Sequence, residues 1–293
     1  MPLTALALVL CAALLHAGWN LAAKQASTDR HFVMWGLLAV LVLWLPAALV
    51  LGLDEWRRWS AAFWGVALVS GLLHLAYFNV LMTGYRLSDL GVVYPVARGS
   101  GPLITAVVAT ALLGEPLGLP GAAGVLAVCS GVFLIAGGPA LWRGPADPAR
   151  HAHVQAGLRW GAATGALIAG YSVVDGWAVK HLGMSPLPLD VVGNLLRLPV
   201  MLALTLRAPQ GFMASGRRWW KQILVLGALS PLAYILVLQA VRQAPLSHVA
   251  PAREISMLFA ALIGGRLLGE GNRGLRLAGA ALMALGVVLL AAG

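Results

Sequence analysis

Five stretches of this chain run for twenty or more residues without a single Asp, Glu, Lys or Arg: Met1–Ala23, Phe32–Leu53, Ser60–Tyr85, Pro116–Trp142 and Gln222–Val241. A helix crosses a bilayer with about 20 mainly apolar residues. It also satisfies its own backbone groups in hydrocarbon, where no water can. The fold class expected is therefore an all-α integral membrane protein. Only 10% of the 293 residues are charged and 60% are hydrophobic, against roughly a quarter and about half in soluble domains. Soluble enzymes and nucleic-acid binders drop out. The net charge of +10 lies mostly in short segments between apolar runs, where Lys and Arg set orientation and meet anionic headgroups. Cys11 and Cys129 fall inside apolar runs with no metal or redox spacing, so they read as packing residues. The N-terminus lacks a basic leader and its first run is long enough to span, so no cleavable signal peptide is expected.

Apolar runs set against charged breaks give ten transmembrane helices, near 3–23, 32–53, 61–85, 90–113, 119–138, 156–181, 186–206, 219–241, 246–268 and 275–292. A linker over 139–155, rich in Pro, Arg and His, divides the chain into 1–138 and 156–293. The halves are related. Shifted by 155 positions, 97–138 aligns with 252–293 without gaps and with 15 identities in 42. The pairs include Ala97-Arg98 with Ala252-Arg253, and Leu112-Leu113-Gly114-Glu115 with Leu267-Leu268-Gly269-Glu270. Upstream, Leu75-Ala76-Tyr77 matches Leu232-Ala233-Tyr234, and Ala17-Gly18-Trp19 pairs with Ala169-Gly170-Tyr171.

Five spans per half is an odd number, so the second half is expected upside down relative to the first. Inverted repeats are a signature of secondary transporters, with the substrate near the midplane between the halves. Loop charge gives the orientation. With the N-terminus inside, four Lys and Arg would face the cytoplasm (Arg57, Arg58, Lys180, Arg242) and thirteen would face outward. Positive loops stay inside, so both termini are expected outside.

The stretches AGWNLAAK in span 1, YPVARGSGPLITAVVATALLGEPLG through span 4 and APAREISMLFAALIGGRLLGE through span 9 resemble the EamA-type permeases of the drug/metabolite transporter superfamily. The Gly-Glu pair closing the fourth span of each half, Gly114-Glu115 and Gly269-Glu270, is typical of that family. The resemblance covers nearly the whole chain. It implies two inverted five-helix repeats, alternating access and a multi-pass place in a bacterial-type inner (cytoplasmic) membrane. It says little of substrate, since the family carries amino acids, cationic drugs, sugars and phosphorylated metabolites. The run His16, Trp19, Asn20, Lys24 also resembles a subgroup of phosphonate-associated permeases.

Ionisable side chains cost about 2.5–3.5 kcal/mol or more at the bilayer centre, so those inside the spans are the site candidates. Arg98 and its mate Arg253 suit a carboxylate, phosphate or phosphonate through paired hydrogen bonds; the other reading is that Glu254 or another internal acid neutralises one of them. Glu254 is a charge partner, a cation anchor or a proton site. It follows Arg253 directly and points about 100° away on a helix, so the two need not pair. Asp175 lies one turn after Tyr171 on the same face and is either functional or salt-bridged. His16, Asn20 and Lys24 form an i, i+4, i+8 stripe with Trp19 beside it; Trp19 and Asn20 are substrate candidates, and His16 and Asn20 are also interhelical glue. Tyr94 shares the Arg98 face. Tyr77 and Tyr234 are repeat mates; Tyr94, Tyr77 and Tyr171 are substrate-contact candidates, the other reading being packing or an interface belt, and His74 shares the Tyr77 face as a polar gate or glue. Asp190, Asn194 and Arg197 read as a self-satisfied polar seam, and Glu115 and Glu270 either as caps on neighbouring helices or as ties to Arg273 and Arg276.

The leading reading is a secondary transporter of a small organic anion or zwitterion. The alternative is a proton-coupled exporter of cationic or aromatic compounds, using Asp175, Glu254 and the aromatics. A membrane enzyme would need a clustered nucleophile, metal set or phosphate loop; none is present, and no cofactor or metal is expected. With no ATP-binding motif, uphill transport would need a coupling proton or an exchange substrate. Monomer and homodimer both stay open.

Overall fold

A computed structural model describes residues 1–26, 28–135, 148–259 and 273–293. The described residues are helical almost throughout. In chain order they form α1 (Leu3–Gln25), α2 (Phe32–Arg58), α3 (Ala61–Leu87), α4 (Leu90–Leu113), α5 (Leu119–Ile135), α6 (Pro148–His181), α7 (Pro186–Leu206), α8 (Phe212–Val241), α9 (Leu246–Ala252) and α10 (Arg273–Ala292). A 3₁₀ turn over Arg253–Ile255 follows α9, and 256–259 is helical again.

All ten expected spans have a helical counterpart, with differences at the edges. α6 begins at Pro148, so part of the stretch read as a linker is helix. At 34 residues it reaches about 51 Å, well beyond the hydrocarbon. α8 starts at Phe212 but breaks at Trp219, whose φ of −109° and ψ of 16° are not helical; the expected span began at that kink. The ninth span is interrupted at 253–255, two residues after Pro251, whose missing N–H weakens the ladder there. The remainder of that span, with Gly269 and Glu270, lies outside the described residues. α1, α2, α3, α4, α7 and α8 are long and apolar enough to cross a membrane; α5 and Leu277–Ala292 are apolar but shorter.

The side-chain distribution is that of a chain in lipid. Fully buried positions are dominated by small residues such as Ala5, Ala12, Ala13, Ala67, Ala178, Ala240 and Ala252, while Val50, Leu51, Leu112 and Leu119 are more than three-quarters exposed. Lipid tails are as apolar as Leu, so large aliphatics gain little by turning inward; helices associate by close backbone approach instead.

The two halves interleave. α1 packs on α8 and α3 on α6, which are reciprocal pairs under the repeat; α2 meets its mate α7, and α5 its mate α10. The α5–α10 contact runs through four glycines. A β-carbon at Gly124 would meet the Gly286 carbonyl oxygen at 2.8 Å, and one at Gly131 would meet the Gly279 carbonyl at 2.6 Å. Gly124 and Gly279 are repeat mates, as are Gly131 and Gly286. Numbers rise along one helix as they fall along the other, so the mates run antiparallel, as inversion requires.

One end of the bundle is tied down by polar groups. The Met1 ammonium donates to the Ala291 carbonyl at 2.8 Å, which brings both termini to this end. α4 closes on Gly114, whose φ of 65° is left-handed and therefore suits glycine. The turn aims Glu115 at the start of α9. Its carboxylate accepts from the Leu246 N–H (2.9 Å), the Ser247 N–H (2.8 Å) and Lys180 Nζ (2.8 Å). This is the helix cap expected of Glu115, made across the halves. Burial alone would raise the Glu115 pKa; the bonds from Lys180, Ser247 and Leu246 outweigh it and hold the carboxyl below the usual glutamate range. All seven residues of α9 are buried behind this clamp.

Candidate functional site

α4 and α9 carry the mated arginines, and both point inward. Arg98 Nε lies 2.8 Å from Glu254 Oε2, and Arg253 Nε lies 3.4 Å from Glu254 Oε1. One carboxylate thus stands between two guanidiniums, one from each half. Adjacency on the helix did not keep Arg253 and Glu254 apart, because two long side chains meet despite the rotation between their Cα–Cβ bonds. Arg98 Nη2 donates to the Ser256 hydroxyl at 3.1 Å and Arg253 Nη2 to the Ser172 hydroxyl at 3.3 Å. Arg98 also lies 5.8 Å from the centre of the Tyr94 ring, within cation–π range. The Glu254 side chain is 1% exposed and that of Arg98 13%. Such a cluster costs several kcal/mol per ion in lost hydration, and shared counter-charge offsets that only in part: two cations face one anion.

A second cluster adjoins the first through α6, where Ser172 follows Tyr171. The Tyr171 ring stacks on His74 at 4.1 Å and meets Tyr77 and Tyr234 edge-on at 5.6 and 6.3 Å. The Tyr234 hydroxyl donates to Asp175 Oδ2, and His74 Nε2 lies 3.9 Å from the same oxygen. Asp175 is 1% exposed, and the Ser70 side chain on α3 also bears on its carboxylate. Four aromatic rings and one carboxylate, drawn from α3, α6 and α8, make a box that suits an organic group carrying a hydrogen-bond donor.

On α1, His16 Nδ1 bonds the Ala12 carbonyl at 3.2 Å, and Asn20 Nδ2 donates to the His16 carbonyl at 2.7 Å. Both of these bonds are made within α1 itself. His16 still lies within electrostatic reach of Arg98 and Arg253. Trp19 packs against His16 at 5.6 Å between ring centres, and its buried indole N–H has no hydrogen-bond partner among the described residues. In α7, Asn194 Nδ2 bonds Asp190 Oδ2 at 3.1 Å, and Arg197 Nε donates to the Gly193 carbonyl at 3.1 Å, so much of this seam is satisfied within its helix.

The fold therefore brings Arg98, Arg253, Glu254 and Tyr94 into one cluster and Tyr77, Tyr171, His74 and Asp175 into its neighbour, with His16 beside the arginines. Sequence reasoning passed over Ser172 and Ser256, which accept from the outer guanidinium nitrogens, and left Tyr234 as the repeat mate of Tyr77 with no partner named. A serine in an apolar helix is ordinary, so no local signal marks the first two. For Tyr234 the repeat was the available signal.

A family model described as the EamA-like transporter family matches residues 3–137 and 155–292. A comparison with curated proteins finds no match. A solved crystal structure of another protein shares the fold, with a TM-score of 0.78 over 99% of this chain and 96% of that one, at 17% identity.

Proposed function

Because the chain belongs to the EamA-like transporter family, a family of multi-pass membrane proteins that move small molecules, we propose that it is a secondary transporter of a small organic anion or zwitterion. An amino acid, a phosphonate or a phosphorylated compound fits that description. The observation that carries this reading is the meeting of repeat-mated Arg98 and Arg253 in the buried interior over a single carboxylate. Guanidiniums are rarely sunk in hydrocarbon without a task, and the cluster has positive charge in excess. The aromatic box beside it would take the organic remainder of the substrate. Rocking of the interleaved halves about this point would expose it to each side in turn.

A second reading, the exporter of cationic or aromatic compounds, draws on Asp175. Its carboxylate within the aromatic box would receive an ammonium or protonated amine.

The test is thermal stabilisation of purified protein by amino acids, phosphonates, phosphorylated metabolites, dicarboxylates and cationic dyes, with Arg98→Gln and Arg253→Gln run in parallel. A ligand at 100 times its Kd stabilises by about 2.7 kcal/mol. Stabilisation of the wild type by anions, lost in both variants, is the expected result. Stabilisation by cations alone, kept in both variants, would overturn the anion reading in favour of the exporter.

A further inference from the structure

We propose that Glu254 is an exchangeable internal anion. Its carboxylate occupies the place between Arg98 and Arg253 that a substrate's acidic group takes. When displaced it takes up one proton, so that anion and proton enter the site together. The inference rests on the anion reading above and adds how that site is coupled.

The argument starts from the guanidinium edges. An arginine grips a carboxylate or phosphonate best with two parallel N–H groups. On Arg98, Nε faces Glu254 Oε2 at 2.8 Å as an ion-pair contact outside hydrogen-bond geometry, while Nη2 donates to the Ser256 hydroxyl. On Arg253 the same two groups are taken by Glu254 Oε1 and the Ser172 hydroxyl. One carboxylate therefore faces the inner half of both forks, bonded to Arg253 and in charge contact with Arg98, and each serine accepts from the outer half. A serine hydroxyl can turn to donate to an arriving oxyanion. Glu254 cannot stay: two anions would then share one buried position. Yet a displaced Glu254 that kept its charge would be a carboxylate almost without water and without its guanidiniums, a state that costs several kcal/mol. A proton from solvent removes that cost. The bookkeeping closes: the substrate brings one negative charge, the proton brings one positive charge onto the Glu254 carboxyl, and the buried cluster keeps its net charge.

Among the described residues, the other charged or titratable groups facing this cluster are Tyr94 on α4, Tyr77, Tyr85 and His74 on α3, His16 on α1, Cys129 on α5, Tyr171 and Asp175 on α6 and Tyr234 on α8. The α10 segment Leu277–Ala292 brings no ionisable side chain. His16, His74 and Asp175 are the competing proton acceptors, so each needs its own control.

Benzenesulfonate is a suitable probe. Its charge stays constant from acid to neutral pH, and its ring matches the aromatic box. Titration calorimetry on the purified full chain, in two buffers of different ionisation enthalpy, counts the protons taken up per anion bound. The expected wild-type result is about one proton, with affinity rising up to tenfold for each unit of falling pH. Glu254→Gln should bind more tightly at neutral pH and take up none, while His16→Gln, His74→Gln and Asp175→Asn should keep the wild-type slope. A wild-type count of zero would overturn the exchange, and it needs no variant to fold. A proton still taken up by Glu254→Gln would overturn it too. Failure of the anion reading itself looks different: benzenesulfonate would then bind Arg98→Gln and Arg253→Gln as well as the wild type, or none of the three.

Discussion

Arg98 Nε and Glu254 Oε2 lie 2.8 Å apart, although 156 positions separate them in the chain and they belong to different halves of the repeat. The contact sets an order of costs. Removing Glu254 strands two buried guanidiniums, whereas removing Arg98 leaves Glu254 with Arg253. Breaking a buried pair costs about 3–5 kcal/mol. Glu254→Ala should therefore lower the thermal midpoint more than Arg98→Gln does, measured in one detergent at one pH.

The Glu115 clamp gives stability a sign with pH. Its folded pKa lies below the unfolded value, so its contribution is fully present above about pH 4.3 and is lost as pH falls through the folded pKa. Wild-type protein should lose stability over that acid window. Glu115→Gln should lose roughly 1.5–3 kcal/mol at neutral pH and show a flatter acid limb in pH-dependent melting.

The α5–α10 seam leaves no room for a side chain. At Gly131 a β-carbon would meet backbone atoms of α10, the Gly279 carbonyl at 2.6 Å and the Met283 nitrogen at 3.0 Å. Gly131→Ala should destabilise by about 1–3 kcal/mol through overpacking. Gly65→Ala, with nothing near its β-carbon, should be close to neutral. Melting curves of the two variants compare them directly.

Tyr234 and Asp175 can be told apart by paired variants. Tyr234→Phe leaves a buried carboxylate without its hydroxyl donor and should cost about 1–3 kcal/mol. Adding Asp175→Asn removes the charge that needed the donor, so the double variant should regain part of the loss. Additive losses in the thermal-unfolding cycle would show that the two side chains act independently.

Loop charge predicts the orientation. Met1 and Ala291 share one end of the bundle, while Arg207, Arg217, Arg218 and Lys221 lie between α7 and α8 or in the first turns of α8. Alkaline phosphatase fused after Gly293 should be active, and a cysteine at Arg217 should react with an impermeant maleimide only from the cytoplasmic side.

Much of this architecture was legible in the chain itself. Charge-free runs located many of the helices, because the hydrocarbon core penalises charged and unsatisfied polar groups whatever their sequence neighbours. Self-similarity between 97–138 and 252–293 paired Arg98 with Arg253 and exposed the two-fold plan. Glu115 was readable as a cap from its place after Gly114. These signals are local or periodic, so the order of residues contains them.

The partners were not legible. Nothing in the order of residues says that Glu254 would bridge both arginines, that Tyr234 would reach Asp175, or that Ser172 and Ser256 would fill the outer guanidinium nitrogens. Those contacts depend on how far each helix is rotated about its axis and how closely its neighbour approaches. Rotation and approach are fixed by the packing of small residues such as the four seam glycines, summed over both halves at once. The sequence determined which charges had to be buried; the tertiary structure decided which of them face one another.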